Sequence, residues 1–395
     1  MKASCLFISL LLAIQINTSR VDMDAKALSS AVAKFSAKFC NELNKFESVV
    51  SSPLSAEYLL ALLALGTTGQ AHTELLTSLE IPDDDSIRPA FSEASSKFKS
   101  IQGITLNVAN KVYLKEGPYE LNPELKEDAV KVFDASFEKL NFNDGPGSAN
   151  IINKWVESKT NDRIKDLLSS DSINGDTRLV LVNALYFKGM WKSQFSKSNT
   201  MDQPFHIDAN TTVDVPMMYK EDNYKYAECP GLQAQILEME YMGGQASMII
   251  VLPNEIEGLN GIMQKLAEGY DLMSELNKLY STKVQVTIPK FKIETEIDLM
   301  EILPKIGINA IFQRGNSGLT KILDNNEPLY VSKAVQKAFI EVNEEGAEAA
   351  AATGVVIMLR CARPPTPRFR ADRPFLYLLT GSDHTTLFIG VYRKA

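Results

Sequence analysis

An almost unbroken apolar stretch, Arg178-Leu-Val-Leu-Val-Asn-Ala-Leu-Tyr-Phe187, runs through the middle of the chain. It is β-rich and has no polar helical face, so it predicts a strand buried on both faces of a sheet. Such a strand needs a packed layer on each side, and the flanking sequence supplies helices and further strands. Helical spacing appears over Ala25–Lys45, from Ser52-Pro53 to Gly66, over Pro123–Phe137, over Ala149–Thr160 and over Leu299–Ile306. Strand patterns cover Ile104–Leu114, Gln233–Met239 and Ser247–Leu252 around Gly243-Gly244, Val284–Phe291, Pro374–Leu379 and Thr386–Tyr392. With no repeat and no linker before residue 360, one α+β body over residues 20–395 is expected.

Composition supports a large core: the 395 residues are 45% hydrophobic and 23% charged, which excludes disordered and collagen-like classes. The net charge of −8 argues against a general nucleic-acid or anionic-membrane binder. Residues 1–19 read as a signal peptide: Met1-Lys2, an apolar run to Ile16, then the small polar Asn17-Thr-Ser19. A buried N-terminal helix is the alternative. No other stretch reaches the ~18 apolar residues of a membrane helix, so a secreted, extracellular protein is expected, with a glycosylation sequon at Asn210-Thr-Thr212.

Loss of the signal removes Cys5 and leaves Cys40, Cys229 and Cys361, an odd set that cannot form a disulfide framework. A monomer is expected, with a thiol-linked dimer as the alternative. His72, His206 and His384 are scattered, and no zinc, phosphate-loop or nucleophile-elbow motif is present. Neither a metal, a cofactor nor enzymatic turnover is expected.

From Glu341 the chain reads Glu-Val-Asn-Glu-Glu-Gly-Ala-Glu-Ala-Ala-Ala-Ala-Thr-Gly-Val-Val-Ile-Met-Leu-Arg-Cys-Ala-Arg-Pro-Pro-Thr-Pro-Arg. Gly346 permits hinge dihedrals. Ala347–Ala352 is nearly all small side chains, interrupted by Glu348. Pro364, Pro365 and Pro367 demand an extended, exposed continuation. A surface helix over Glu344–Thr353 is the simplest reading of the alanines; against it, Val355-Val-Ile357 is β-branched and Gly346–Arg360 lacks proline, so the segment can also become a strand. Its fifteen residues at ~3.3 Å each span about 50 Å.

Several patches along the chain together resemble the serpins. They are Ser52-Pro-Leu-Ser55, Asn153-Lys-Trp-Val156, Asn183-Ala-Leu-Tyr-Phe-Lys-Gly-Met-Trp191, Pro289-Lys-Phe291, Glu341-Val-Asn-Glu-Glu-Gly346 and Phe369-Arg-Ala-Asp-Arg-Pro-Phe375. The chain is most similar to the secreted serpins of blood-feeding arthropods, ticks especially. The resemblance implies a large five-stranded central sheet with further sheets, eight to nine helices and an exposed reactive loop over about 344–368. It also implies a suicide inhibitor of serine proteases, whose cut loop inserts into the sheet and traps the acyl-enzyme as a covalent 1:1 complex.

Counted in the manner of that family, the bait residue is Arg360 and the bond is Arg360–Cys361, preceded by Ile357, Met358 and Leu359 as subsite contacts. A guanidinium suits the acidic pocket of trypsin-like proteases. Arg363 competes, but Pro364 makes its bond a poor substrate. Register slips to Leu359 or Met358 would serve chymotrypsin- or elastase-like enzymes. The hinge implied is Glu344, Glu345, Gly346, Ala347, Glu348, Ala349, Ala350, Ala351, Ala352 and Thr353, with Ala347, Ala349, Ala351, Thr353 and Val355 facing inward on insertion.

A shutter beneath the sheet is implied at Ser52, Ser55, Asn183 and Gln336, the last standing where the family usually has histidine. Glu344 and Lys290 match a bracing pair. Phe91–Ile101 resembles a heparin-binding helix but offers only Lys97 and Lys99, so polyanion activation there is not expected. Cys361 is either an inert small side chain or a thiol open to exchange. Arg363, Arg368, Arg370 and Arg373 form a basic cluster, read as solvated charge or as a contact for an acidic protease rim. A non-inhibitory serpin and a cleaved substrate or decoy are the other readings.

Overall fold

The apolar stretch forms the strand Leu179–Gly189, at the centre of a five-stranded sheet. The computed structural model describes residues 23–325, 327–344 and 365–394. Residues 1–19, for which a signal peptide is expected, and Glu345–Thr353, Val355, Ile357, Met358, Leu359, Arg360, Cys361, Arg363 and Pro364 lie outside the described residues. Across the sheet the order is Phe291–Asp298, Val331–Val342, Leu179–Gly189, Ile104–Lys115 and Ala135–Leu140. Val331–Val342 runs parallel to Leu179–Gly189, and Ile104–Lys115 runs parallel to Ala135–Leu140; the other two neighbouring pairs are antiparallel.

The continuous apolar character has the predicted cause. Leu179, Leu181, Leu185 and Phe187 join the main core, while Val180, Val182 and Ala184 face a second core with Ile152 and Val156 of the helix Gly145–Lys159. Alternate positions thus feed two layers. The main core includes the helix Pro53–Leu65, whose residues are all buried except Leu65.

A second, nine-stranded sheet holds the C-terminal hairpin Phe375–Gly381 and Thr386–Tyr392, and the hairpin Ala234–Glu240 and Ala246–Pro253. Gly243 and Gly244 turn the latter at φ 84° and 67°, where a side chain is disfavoured. The described residues contain nine α-helices.

Three element boundaries differ from expectation. The Pro123 helix stops at Lys131; Asp134 turns left-handed at φ 49°, and Ala135–Leu140 is a strand. The Val284–Phe291 pattern spans two strands, because Tyr280–Pro289 belongs to the nine-stranded sheet and Phe291–Asp298 to the five-stranded one. Lys290 is the crossover residue, with its N–H on the Pro216 carbonyl at 2.8 Å. Leu299–Ile306 tightens from an α-turn over Leu299–Ile302 to a 3-10 turn over Leu303–Ile306, ended by Gly307 at φ 100°.

Candidate functional site

Ser52 caps the helix Pro53–Leu65, where Pro53 sits at the start and its missing N–H leaves no bond unmade. Ser52 Oγ accepts from the Ser55 N–H at 3.4 Å and donates to the Leu387 carbonyl at 2.6 Å. This capped end meets a row of three amides crossing the five-stranded sheet. Gln336 is the register partner of Asn183 in the parallel pair, and Asn183 is the partner of Asn110 in the antiparallel pair.

The amides and serines satisfy one another. Gln336 Nε2 donates to Asn183 Oδ1 at 2.6 Å and to the Ser52 carbonyl at 2.8 Å, while its Oε1 accepts from the Ser52 N–H at 3.0 Å. Asn183 Nδ2 donates to Ser55 Oγ at 2.6 Å and to Asn110 Oδ1 at 2.5 Å; Ser55 Oγ in turn donates to Asn110 Oδ1 at 3.2 Å. None of the five residues is more than 5% exposed. Breaking one bond here orphans a buried group, a cost of about 1–3 kcal/mol. The structure therefore brings Ser52, Ser55, Asn183 and Gln336 together and adds Asn110, which the sequence reading missed. Asn110 stands in phase with Leu106, Val108, Val112 and Leu114, so a lone amide on the apolar side of the alternation was the available signal, and the strand register places it beside Asn183.

Glu344, the last described residue before position 345, is held as firmly. Glu344 is 4% exposed; Lys290 Nζ lies 2.9 Å from Glu344 Oε2, and Thr200 Oγ1 donates to Glu344 Oε1 at 2.8 Å. Burial pushes the Glu344 carboxyl up, but Lys290, a backbone bond and Thr200 outweigh it and hold the group below its ordinary value. Trp191 stacks on Tyr241 at 4.5 Å and donates from Nε1 to the Asn343 carbonyl at 2.8 Å. Beyond residue 364 the chain is anchored to the other sheet. The Pro367 carbonyl accepts from the Gln285 N–H at 2.9 Å, and Arg368–Arg370 runs parallel to Gln285–Thr287.

The basic cluster separates into unlike members. Arg370 and Arg373 both pair with Asp372, at 3.0 and 2.8 Å, and Arg368 is exposed. Asn210 is exposed in the turn after Thr200–His206. Cys40 and Cys229 are buried free thiols, so neither is presented for an intermolecular disulfide. Burial pushes the Cys40 thiol up to about 12, against the opposing pull of Arg393.

Among the described residues no group of three His, Cys, Asp or Glu side chains is placed to hold a metal. His384, Glu238 and Ser247 do meet, but Ser247 Oγ donates to Glu238 and His384 approaches that same carboxylate at 3.5 Å. The carboxylate stands between hydroxyl and imidazole, the wrong order for a base that activates a nucleophile.

The family model described as Serpin (serine protease inhibitor) matches residues 30–394. The chain belongs to the serpin family. This serpin is 41% identical over 372 residues to antichymotrypsin-2 of Bombyx mori, covering 93% of this chain and 98% of the relative. It is 40% identical over 375 residues to antitrypsin of Bombyx mori, covering 93% and 94%. Among solved structures it is similar to Serpin48 of Tenebrio molitor, with a TM-score of 0.83, 33% identity and coverage of 94% of this chain and 99% of that one. Serpins are protease inhibitors rather than catalysts, and this serpin has arthropod inhibitors as relatives. No helix among its described residues is long and apolar enough to cross a membrane.

Proposed function

We propose that this serpin is a secreted, monomeric suicide inhibitor of trypsin-like serine proteases, with Arg360 as bait. The observation that carries the reading is the parallel seam between Val331–Val342 and Leu179–Gly189, which ends where the loop segment begins after Glu344. A segment leaving the top of Val331–Val342 and folding back beside it runs antiparallel to that strand. It is then antiparallel to Leu179–Gly189 as well. Insertion thus replaces one parallel interface by two antiparallel ones, which are somewhat more stable per residue. The neighbouring strands have 12 and 11 residues, about 40 Å at most, within the ~50 Å reach of Gly346–Arg360.

In this reading the protease serine attacks the Arg360 carbonyl, the bond to the Cys361 nitrogen breaks, and Arg360 remains as the acyl ester while Cys361 leaves as an amine. Glu344 and Lys290 hold the loop foot, and Glu345–Thr353 are the moving hinge with small inward side chains. Ile357, Met358 and Leu359 fill the adjoining subsites. Ser52, Ser55, Asn183 and Gln336 act as the shutter that parts when the strand enters. Residues 1–19 direct export, residues 20–395 form the single inhibitory domain, and Asn210 carries glycan. The relatives' names divide between antichymotrypsin and antitrypsin, and Arg360 is the residue that favours the trypsin-like class here.

Equimolar incubation with trypsin followed by denaturing electrophoresis tests this. A covalent complex that survives SDS is expected, absent in Arg360→Ala. Clean cleavage with full retention of trypsin activity would instead make the protein a substrate.

A further inference from the structure

The dipeptide Asn-Gly occurs at Asn174-Gly175 and at Asn260-Gly261, in two unlike settings. Asn260 and Gly261 lie inside the helix Leu259–Ala267, and Asn260 Oδ1 accepts from Arg393 Nη2 at 2.8 Å. Asn174 is exposed, in a turn that leads into Leu179–Gly189. The Thr177 N–H donates to the Asn174 carbonyl at 3.0 Å and the Asn174 N–H donates to Thr177 Oγ1 at 3.1 Å, so the turn is closed twice.

Within that turn the Asn174 side chain is set against its own backbone. The Asp176 N–H donates to Asn174 Oδ1 at 2.9 Å, which folds the side chain back so that its carboxamide carbon sits by the Gly175 nitrogen. The same N–H is placed to stabilise negative charge that develops on Oδ1. The Gly175 N–H donates no hydrogen bond among the described residues, and without a Cβ nothing on Gly175 shields its nitrogen.

The turn also holds three strands. The Gly175 carbonyl accepts from Lys115 Nζ at 2.5 Å and from Arg178 Nη1 at 3.1 Å, and the Asp176 carbonyl accepts from Tyr330 Oη at 2.8 Å. The Arg178 N–H donates to Ser332 Oγ at 2.9 Å. Lys115 ends Ile104–Lys115, Arg178 precedes Leu179–Gly189 and Tyr330 precedes Val331–Val342. The turn therefore ties the end of the parallel seam remote from Glu344.

We infer that Asn174-Gly175 is a self-modification site, at which Asn174 loses its amide and the remote end of the seam is released. The Gly175 nitrogen gives its proton to solvent and bonds to Asn174 Cγ; the Cγ–Nδ2 bond breaks, and Nδ2 leaves as ammonia. Water then adds to one of the two carbonyl carbons of the cyclic imide, whose bond to the Gly175 nitrogen breaks as that nitrogen regains a proton. Opening at Cγ gives aspartate. Opening at the main-chain carbonyl gives isoaspartate, with a main chain one methylene longer, which moves the Gly175 and Asp176 carbonyls off Lys115, Arg178 and Tyr330. Either product sets a new carboxylate beside Asp176. The inference does not depend on Arg360 as bait.

The test holds the full-length protein at pH 8 and 37 °C for days and reads residues 166–178 by mass spectrometry of tryptic peptides. Isoaspartate is labelled with an isoaspartyl methyltransferase, and a sample taken at the start sets the digestion background. In the folded protein Asn174 should convert at least about tenfold faster than Asn260, because only Asn174 is oriented for attack, and the two rates should converge in denaturant. Aged parent should melt below fresh parent by a margin that grows with the converted fraction. Aged Asn174→Gln, whose longer side chain closes such a ring slowly, should melt as its fresh form does. Equal rates at the two sites in the folded protein, or conversion of Asn174 only in denaturant, would overturn the inference. Conversion with unchanged melting would also overturn it, because the turn would then hold no strand in place.

Discussion

Gln336 donates a 2.6 Å hydrogen bond to Asn183 across the parallel seam of the five-stranded sheet, and both side chains are wholly buried. The same Gln336 amide brackets both the N–H and the carbonyl of Ser52. One side chain therefore ties two strands and a helix cap together, at the place where a new strand would have to enter.

Removing that amide should loosen the seam. Gln336→Ala orphans Asn183 Oδ1 and the Ser52 main chain, a loss of about 1–3 kcal/mol. The expected outcome is a melting midpoint lower by several degrees and faster spontaneous polymerisation on native gels. An unchanged midpoint would mean that the network carries no load.

Replacement of Gln336 by histidine should install a pH response that the parent lacks at this position. An amide does not titrate, whereas imidazole charges near neutrality and its charged form is disfavoured by burial. Gln336→His should lose stability from pH 7.5 to pH 5.5 relative to the parent. Parallel melting curves for the two proteins over that range would contradict this.

Glu344 predicts an acid response of definite sign. Its folded carboxyl sits below the ordinary value of 4.5, so its stabilisation is present above that value and is lost as pH falls through the lower folded one. Glu344→Gln should therefore melt a few degrees below the parent at pH 7, with the gap closing as pH falls below 4.5. Trp191, bonded to the adjacent Asn343 carbonyl, supplies a fluorescence signal for the same loosening.

Ser52, Ser55, Asn183 and Gln336 were legible through the family resemblance, and Asn110 was not named. Ser52-Pro-Leu-Ser55 declares a helix cap by residue type, and Asn183 stands out as the lone amide in an apolar strand. Asn110 is the one polar residue in the apolar phase of Ile104–Leu114, between Val108 and Val112, and what the sequence could not supply is its partner, which depends on the register with Asn183. The sheet change at Lys290 does leave a mark in the sequence, which reading Val284–Phe291 as one strand passes over: the apolar positions are Val284, Val286 and Ile288 before it and Phe291 and Ile293 after it, a shift of one residue in phase. The long strand Thr212–Cys229 was not foreseen either, since its many polar residues mask any period.

Glu57 should be a built-in weakness. It lies in the fully packed helix Pro53–Leu65 at 1% exposure, and its Oε1 has no hydrogen-bond partner. Burial, then the charge of Glu80, raises its carboxyl well above 4.5. The folded state thus keeps a proton that the unfolded chain releases, so stability falls as pH rises above that value. Glu57→Gln should be more stable than the parent, with the gap widening from pH 5 to pH 8. A constant gap would contradict the assignment.

Cys40 should be chemically silent. At 1% exposure, with its thiol pushed up to about 12, it is held as the unreactive protonated form. Alkylation at pH 8 followed by peptide mass spectrometry should leave Cys40 unmodified until denaturant is added; rapid native labelling would refute this.

A loop cut after Arg360 is expected to enter the seam between Val331–Val342 and Leu179–Gly189. Thermal unfolding of the cut protein beside the intact one measures it most directly. Entry should raise the melting midpoint by tens of degrees, because a strand then fills the seam and completes its ladder. An equal or lower midpoint after cleavage at Arg360 would show that no strand had been added, and the mechanism would fail.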